Sequence, residues 1–447
     1  MEPLFSDLFS DSDKAAWITQ VQKELKNELA YESLRWQTGE GFTLDPYYTA
    51  DSLDSLPLDG MQAAQQSTAG WLNAPFYTIT DPKAANPLLR DALTQGADAL
   101  VLQLPTVDLN LSQLLNGIKL SDTPIFFCIN EAESYAKQRP SQAEFIQKLQ
   151  TVAPYQLKGG LLMAIDETTA EATRLTANSP HFRTVCISGH TFHNAGASAT
   201  QELAFTLASL TDTYDGLTED GLTIDQLVPK TILSVSVGTS YFGEIAKLRA
   251  LRILVNRLLG YYSFHPTHPV FIHCQTSTFY DAAVTPYTNL LRATTEAMAA
   301  VLGGCDALTV HPYDTVLERS AASPDRNFSK RIARNVSLLL NEESYLDKVA
   351  DPAAGSYYIE TLTYQLVEAA WTLFLDVEKR GGLAKAGNFV QQEVERVYQA
   401  KVEAVRNGKV LVGVTKFRSD EPAEQPASGL SKPVDGWPNR RLASEFE

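Results

Sequence analysis

The chain has 447 residues, 44% of them apolar, and its 37 Lys+Arg against 53 Asp+Glu leave a net charge of −16. That balance argues against a nucleic acid or an anionic membrane surface as partner, since both need a positive footprint, but it leaves room for one small anion held by local cations. The length exceeds an ordinary single domain and suits a (β/α) barrel with extensions.

The N-terminus, MEPLFSDLFSDSDK, is acidic and has no basic region ahead of an apolar core, so it does not read as a signal peptide. No apolar run is long enough to span a bilayer. SDSDKAAWITQVQKELKNEL predicts a capped amphipathic helix with Trp17, Ile18, Val21, Leu25 and Leu29 on one stripe. YESLRWQTGEGFTLDPYYTADSL then mixes Gly, Pro and aromatics without a period. It predicts an extended arm lying on a surface, that of another subunit. Residues 1–85 are expected to form this arm and its helix.

From about residue 85 short apolar runs alternate with helical patterns. The runs are ALVLQLP (99–105), IFFCIN (125–130), GLLMAI (160–165), TVCISG (184–189), TILSVSVG (231–238), VFIHCQT (270–276) and ALTVHPYD (307–314), with a weaker eighth near KVADPAAG (348–355). Continuous apolar strands separated by helices mean a parallel sheet covered on both faces. About eight such units favour a TIM (β/α)8 barrel over residues 86–383. No Gly-rich phosphate fingerprint follows the first run, which weakens a dinucleotide-binding alternative. Residues 384–447 predict a C-terminal helix and then a linker or strap rich in Pro, Ser, Gly and charge. The cysteines Cys128, Cys186, Cys274 and Cys305 lie far apart in apolar runs and read as reduced, buried thiols of a cytoplasmic protein.

In such a barrel the chemistry sits just past the strand C-termini. Those ends offer Pro105-Thr106, Asn130-Glu131, Asp166-Glu167, His190 with His193 and Asn194, Thr239-Ser240, His273 with Gln275, His311 with Tyr313, and Asp351. His190 and His193 have a spacing that suits metal ligation on a helix, but no HExxH-type motif accompanies them. This leaves a metal-dependent barrel lyase or hydrolase as one alternative. His273 and Gln275 alternate with Cys274 and so share the side of the strand that faces a carbonyl, a carboxylate or each other. The histidine of HPYD predicts a capping or packing role. No Walker motif and no cysteine cluster occurs.

CISGHTFHNAGASATQELAFTLA, GEIAKLRALR, IHCQTSTFYDAAVTPYTNLLRATTEAMAAVLGG, NFSKRIARNVSLLLNEES and VADPAAGSYYIETLT strongly resemble blocks of the methylmalonyl-CoA mutase family, in order and spacing. The N-terminal aromatic stretch resembles that family's subunit arm, and GKVLVGVTKF the block that closes its barrel domain. The resemblance implies the substrate barrel of an adenosylcobalamin-dependent enzyme that interconverts methylmalonyl-CoA and succinyl-CoA by radicals. It also implies departures. The family's catalytic stretch resembles Ser-Gly-Tyr-His-Ile-x-Glu-Ala-Gly-Ala. Here Ser188-Gly189 and Ala195-Gly196-Ala197 keep the frame, His190 stands for the Tyr, Thr191 for the catalytic His and Asn194 for the Glu. A threonine hydroxyl is too short and too weakly acidic to replace an imidazole as donor to a carbonyl. The family's Pro-Thr-Met-Tyr and Arg-Pro-Trp stretches have only an aromatic echo in AAQQSTAGWLNAPFYTITDP, and its Gln-Asn-Asp block is missing. His273 and Gln275 do match the family's His-x-Gln-Thr-Ser. The Asp-x-His-x-x-Gly cobalamin motif and its flavodoxin-like domain are not in the chain.

The resemblance therefore implies a small, non-catalytic subunit that forms a heterodimer with a larger homologous catalytic subunit. Adenosylcobalamin is expected on that partner, and no cofactor on this chain. His190, Thr191, His273 and Gln275 would be remnants of a substrate pocket. A catalytic barrel whose cobalamin domain is a separate chain is the runner-up expectation.

Overall fold

The computed structural model describes residues 13–26, 30–106, 108–129, 141–266, 268–318, 324–418, 427 and 436–447. Its eight barrel strands all pair in parallel. Strand β1 runs as two pieces, Leu72–Asn73 and Phe76–Thr78, on either side of Ala74-Pro75. Then follow β2 (Leu100–Leu104), β3 (Ile125–Ile129), β4 (Gly159–Leu161), β5 (Phe182–Arg183 and Val185–Ser188), β6 (Thr231–Val237), β7 (Phe271–Thr276) and β8 (Ala307–Thr309). The first piece of β1 pairs with β8 and its second with β2. The first piece of β5 pairs with β4 and its second with β6. The two five-stranded sheets thus meet at β1 and β5, and the ring closes. Pro75 has no N–H to donate to a ladder, so the chain bends there and changes partner.

Apart from three short helices at Ala30–Leu34, Leu58–Ala63 and Ile224–Leu227, the α-helices are α1 (Lys14–Leu25), α2 (Pro82–Thr94), α3 (Leu111–Leu114), α4 (Gln142–Val152), α5 (Thr169–Leu175), α6 (His190–Ala195), α7 (Ala199–Glu219), α8 (Tyr241–Tyr261), α9 (Pro286–Leu302), α10 (Pro324–Glu342), α11 (Tyr357–Lys379) and α12 (Leu383–Arg406). Strand side chains alternate. Leu102, Phe127 and Leu161 face one coat of short helices. Ile187, Val235, Ile272 and Leu308 face a thicker coat of α7, α8, α9 and α11. The bore holds Ala74, Ala99, Val101, Phe126, Ile232 and Ala307, with Phe76, Cys128, Leu162 and Phe271 packed against them.

Two expectations change. The ring is completed by β1 at 72–78, in the stretch read as arm, where Asn73 and Pro75 interrupt the apolar run. KVADPAAG is no strand: Asp351 and Gly355 hold positive φ in a turn, and Asp351 pairs with Arg249. The arm helix begins as expected, with the Asp13 carboxylate accepting from Ala16 N at 2.7 Å, but it ends at Leu25, and Leu29 lies outside the described residues. None of its residues is buried. The arm lies on its own barrel: Trp17 packs on Tyr47, Tyr48 on Tyr358 of α11, and Glu40 accepts from Thr200 N of α7. Trp36 remains 57% exposed. At the other end, Trp437 packs on Phe192, and Arg440 N and Leu442 N donate to Asn194 O and Phe279 O, so residues 436–447 cross the loops after β5 and β7.

Helix α8 is buried on most of its surface and carries three interior cations. Lys247 Nζ lies 2.7 Å from Glu202 of α7 and 2.6 Å from Glu244, and donates to Ser236 O of β6. Arg249 pairs with Asp351 and, at 2.7 Å, with Glu360 of α11. Arg252 pairs with Asp306 at 3.0 Å and donates to Val270 O at the start of β7. Burial pushes Glu202 up, but Lys247 and His193 outweigh it and bring its pKa down to about 2. Lys247 is likewise held well above its ordinary value, against its burial, by Glu202 and Glu244. The pair is therefore ionised. Replacing Lys247 by Met should leave Glu202 buried without its cation and cost about 3–5 kcal/mol in urea unfolding. A loss below about 1 kcal/mol, the range of exposed pairs, would mean that water reaches the site.

Candidate functional site

Strand β5 delivers Ser188-Gly189 to the C-terminal mouth, and α6 starts at once. A Cβ on Gly189 would meet Thr206 Oγ1 at 2.4 Å, so only glycine lets β5 pass this close to α7. Gly196 ends α6 at φ 106, against the Tyr398 ring. The Ser-Gly…Ala-Gly-Ala frame is thus set by packing and backbone conformation. Within it, Thr191 is 3% exposed and its hydroxyl donates back to Ser188 O at 2.7 Å.

His273 points into the bore, as its alternation with Cys274 requires. Thr309 Oγ1 donates to Ala74 O at 2.8 Å, so it accepts from His273 Nε2, 2.9 Å away. His273 Nδ1 then accepts from Ser234 Oγ at 3.1 Å. One chain of hydrogen bonds links β6, β7, β8 and β1 and engages both ring nitrogens. Burial, then His190 and His311, lower the His273 pKa to about 3. Gln275 Oε1 lies 3.3 Å from His311 Nε2. The pKa of His311 is also lowered by burial and by His190, to about 4. His190, His273, Gln275 and His311 are therefore brought together at the top of the bore, and the imidazoles of His273 and His311 stay neutral.

Below them the axis is closed. Phe126 packs on Phe271 at 5.8 Å and on the His273 ring at 6.2 Å, and the Arg183 guanidinium covers Phe271 at 4.1 Å. His193 turns elsewhere. Its Nε2 is 2.7 Å from Ser277 Oγ and its Nδ1 3.5 Å from Glu202. Ser277 N in turn donates to Glu296 of α9 at 3.0 Å. Burial, then Asp281, push Glu296 up, and burial lifts Asp281 to about 7 against the pull of Arg292 and Arg441. Among the described residues, no group of three or more His, Cys, Asp or Glu is placed to hold a metal. His190 and His193 face different neighbours despite their spacing.

Some of the other strand ends serve their own fold. Asp166 accepts from Gln142 N and Thr168 N, Ser240 precedes α8, and Asp351 holds Arg249; Asn130-Glu131 lie outside the described residues. Sequence reasoning missed Ser234, Ser236 and Thr309. The signal for Ser234 and Ser236 was present in TILSVSV, where two serines alternate inside an otherwise apolar strand.

A closed eight-stranded α/β barrel with its polar groups gathered above the strand C-termini is the architecture of a barrel enzyme. The chain belongs to the methylmalonyl-CoA mutase family, whose pattern matches residues 141–436. It is similar to the methylmalonyl-CoA mutase small subunit of Porphyromonas gingivalis, with 33% identity over 86% of this chain and 66% of that one. It is also similar to the methylmalonyl-CoA mutase of Rhizobium meliloti, with 29% identity over 92% of this chain and 64% of that one. A probable methylmalonyl-CoA mutase small subunit of Mycobacterium bovis is 29% identical over 92% of this chain and 70% of that one. The chain thus spans just under two thirds of the length of the first two relatives. Among the described residues, no helix is long and apolar enough to cross a membrane.

The buried imidazoles set a pH dependence. In the unfolded chain His273 titrates near 6.5, and in the folded chain at about 3, so the folded state binds fewer protons between these values. Its contribution is complete above the unfolded pKa and is lost as pH falls toward the folded one. Wild-type stability should therefore fall from about pH 6.5 to about pH 4.5 more steeply than that of His273→Gln, by up to ~1.4 kcal/mol per pH unit. Parallel slopes in urea titrations would place the charged imidazole in solvent.

Proposed function

We propose that this chain is the small, non-catalytic subunit of an adenosylcobalamin-dependent methylmalonyl-CoA mutase, working in the cytoplasm beside a larger homologous subunit. The observation that carries the reading is the filled bore. Phe126 and Phe271 fill the axis below the mouth, and His273 above them has both nitrogens bonded to strand hydroxyls. Thr191, at the position of the family's catalytic His, bonds its own backbone. Two relatives are named as small subunits, which fits.

His193 and His273 do not fit a cobalt ligand. His193 and His273 are held by protein partners on both ring nitrogens, and His311 is bonded to Gln275. Cobalamin is accordingly assigned to the partner. What this chain supplies is a braced barrel and an arm with exposed apolar surface at Leu25, Leu34, Trp36 and Tyr47.

Co-expression with the large subunit from the same source should yield a 1:1 heterodimer, with mutase activity in the complex and none in this chain given adenosylcobalamin. Deleting residues 1–55 should abolish co-purification and leave the barrel folded. Tight cobalamin binding by the isolated chain, followed by visible absorbance, would overturn the reading.

Thr191→His should not restore turnover, even with a separate cobalamin domain added, because groups that act as a unit lose function together. Turnover by that single variant would favour a catalytic barrel with a detached cobalamin domain.

A further inference from the structure

The outer ring of helices closes where α10 returns beside α2, and it closes only in part. Toward the strand N-termini the seam is tight. Leu338 stands against Gly96, Arg334 Nη2 donates to Gln95 Oε1 at 2.8 Å, and Asn73 Nδ2 donates to Arg334 O. Toward the C-terminal mouth the helices part and leave a groove of about 470 Å³. That is the size of a small-molecule site.

Its lining is unlike the rest of this acidic chain. Among the described residues Lys330, Arg331 and Arg334 face it and Asp91 is the one carboxylate that lines it, with Oδ1 already accepting from Gln95 Nε2 at 2.9 Å. Arg334 is 7% exposed and its Nε has no hydrogen-bond partner. Among the described residues neither Arg331 nor Arg334 has a carboxylate within ion-pair distance, whereas Lys247, Arg249 and Arg252 each have at least one. A buried guanidinium without a counter-charge is costly, and an anion in the groove would relieve it. Two aromatic rings form the walls. Lys330 Nζ lies 5.2 Å from the centre of the Tyr77 ring, and the Arg331 guanidinium 5.4 Å from that of Phe328. Phe328 is 44% exposed, so part of its ring is open to a planar guest.

Guanidinium forks bind phosphate oxygens in pairs, and aromatic faces take heterocycles. We propose that this groove, on the outer wall of the barrel between α2 and α10, binds a nucleoside phosphate, with Arg331 and Arg334 on the phosphate and the base against Phe328 and Tyr77. The site lies apart from the mouth and the bore, and its occupancy does not depend on the mutase reading.

Isothermal titration of the full chain with ADP tests it, with inorganic phosphate as the second probe. ADP should bind saturably and more weakly as salt rises. Inorganic phosphate should bind more weakly than ADP. Arg331→Gln should weaken ADP binding at least about tenfold, the worth of one charge-assisted contact, with unchanged circular dichroism and unfolding midpoint. Arg334→Lys, which keeps the charge and loses the fork, should weaken it as well. The proposal is overturned if ADP does not bind, if phosphate binds as tightly as ADP, or if folded Arg331→Gln binds ADP like the wild type.

Discussion

An ammonium in a protein interior needs partners that replace its lost water, and Lys247 is 1% exposed. Its three partners come from three elements: Glu202 from α7, Glu244 from α8 and the Ser236 carbonyl from β6. Glu202 is also the acceptor of Ser236 N and the neighbour of His193. From His193 the bonding continues through Ser277 to Glu296 of α9. The position of α6 at the mouth is therefore set by a buried ion pair on the far side of β6. Arg249 and Arg252 do the same for α11 and for the β7–β8 edge. A buried pair adds little net stability over an apolar one, but each member is very costly to remove alone. That asymmetry fixes which surfaces of α8 face which neighbours.

The strands that could be read from the sequence are those whose apolar runs are unbroken. IFFCI and TILSVSV announce themselves; WLNAPFYT does not, because the residues that make β1 change partner are the ones that spoil its pattern. KVADPAAG misleads in the opposite direction, since Val349 and Ala350 begin an apolar run that Asp351-Pro352 ends. The blocks GEIAKLRALR and VADPAAGSYYIE were legible as motifs but not as a pair. Arg249 meets Asp351 and Glu360 across more than a hundred residues of chain, a relation that no periodicity carries. The inward aim of His273 follows from alternation alone. Its partners Ser234 and Thr309 follow only from strand register, which places Ser234 beside His273, and His273 beside Ala307, two residues before Thr309.

At α6 the residues divide by physical role. Gly189 and Gly196 answer to close approach and positive φ, and any chain with this backbone must keep them. Positions 190, 191 and 194 answer to whatever occupies the mouth. In this chain the side chain at 191 answers to packing and to its own hydrogen bond. Thr191 satisfies both with a short bond to Ser188 O.

The breaks in β1 and β5 divide the barrel into halves of unequal thickness. On one side β2, β3 and β4 are covered by α3, α4 and α5, of 4, 11 and 7 residues. On the other, α7 and α8 have 21 residues each, and α11, with 23, lies over both. Backbone amides exchange with solvent through the cheapest local opening, and openings are cheapest where little apolar surface is exposed by them. The thin half can loosen about Pro75 and Thr184 while the thick half stays closed. The barrel then behaves as a rigid saddle of long helices with a softer panel set into it, and amide protons of β3 and β4 would be replaced well before those of β6 and β7.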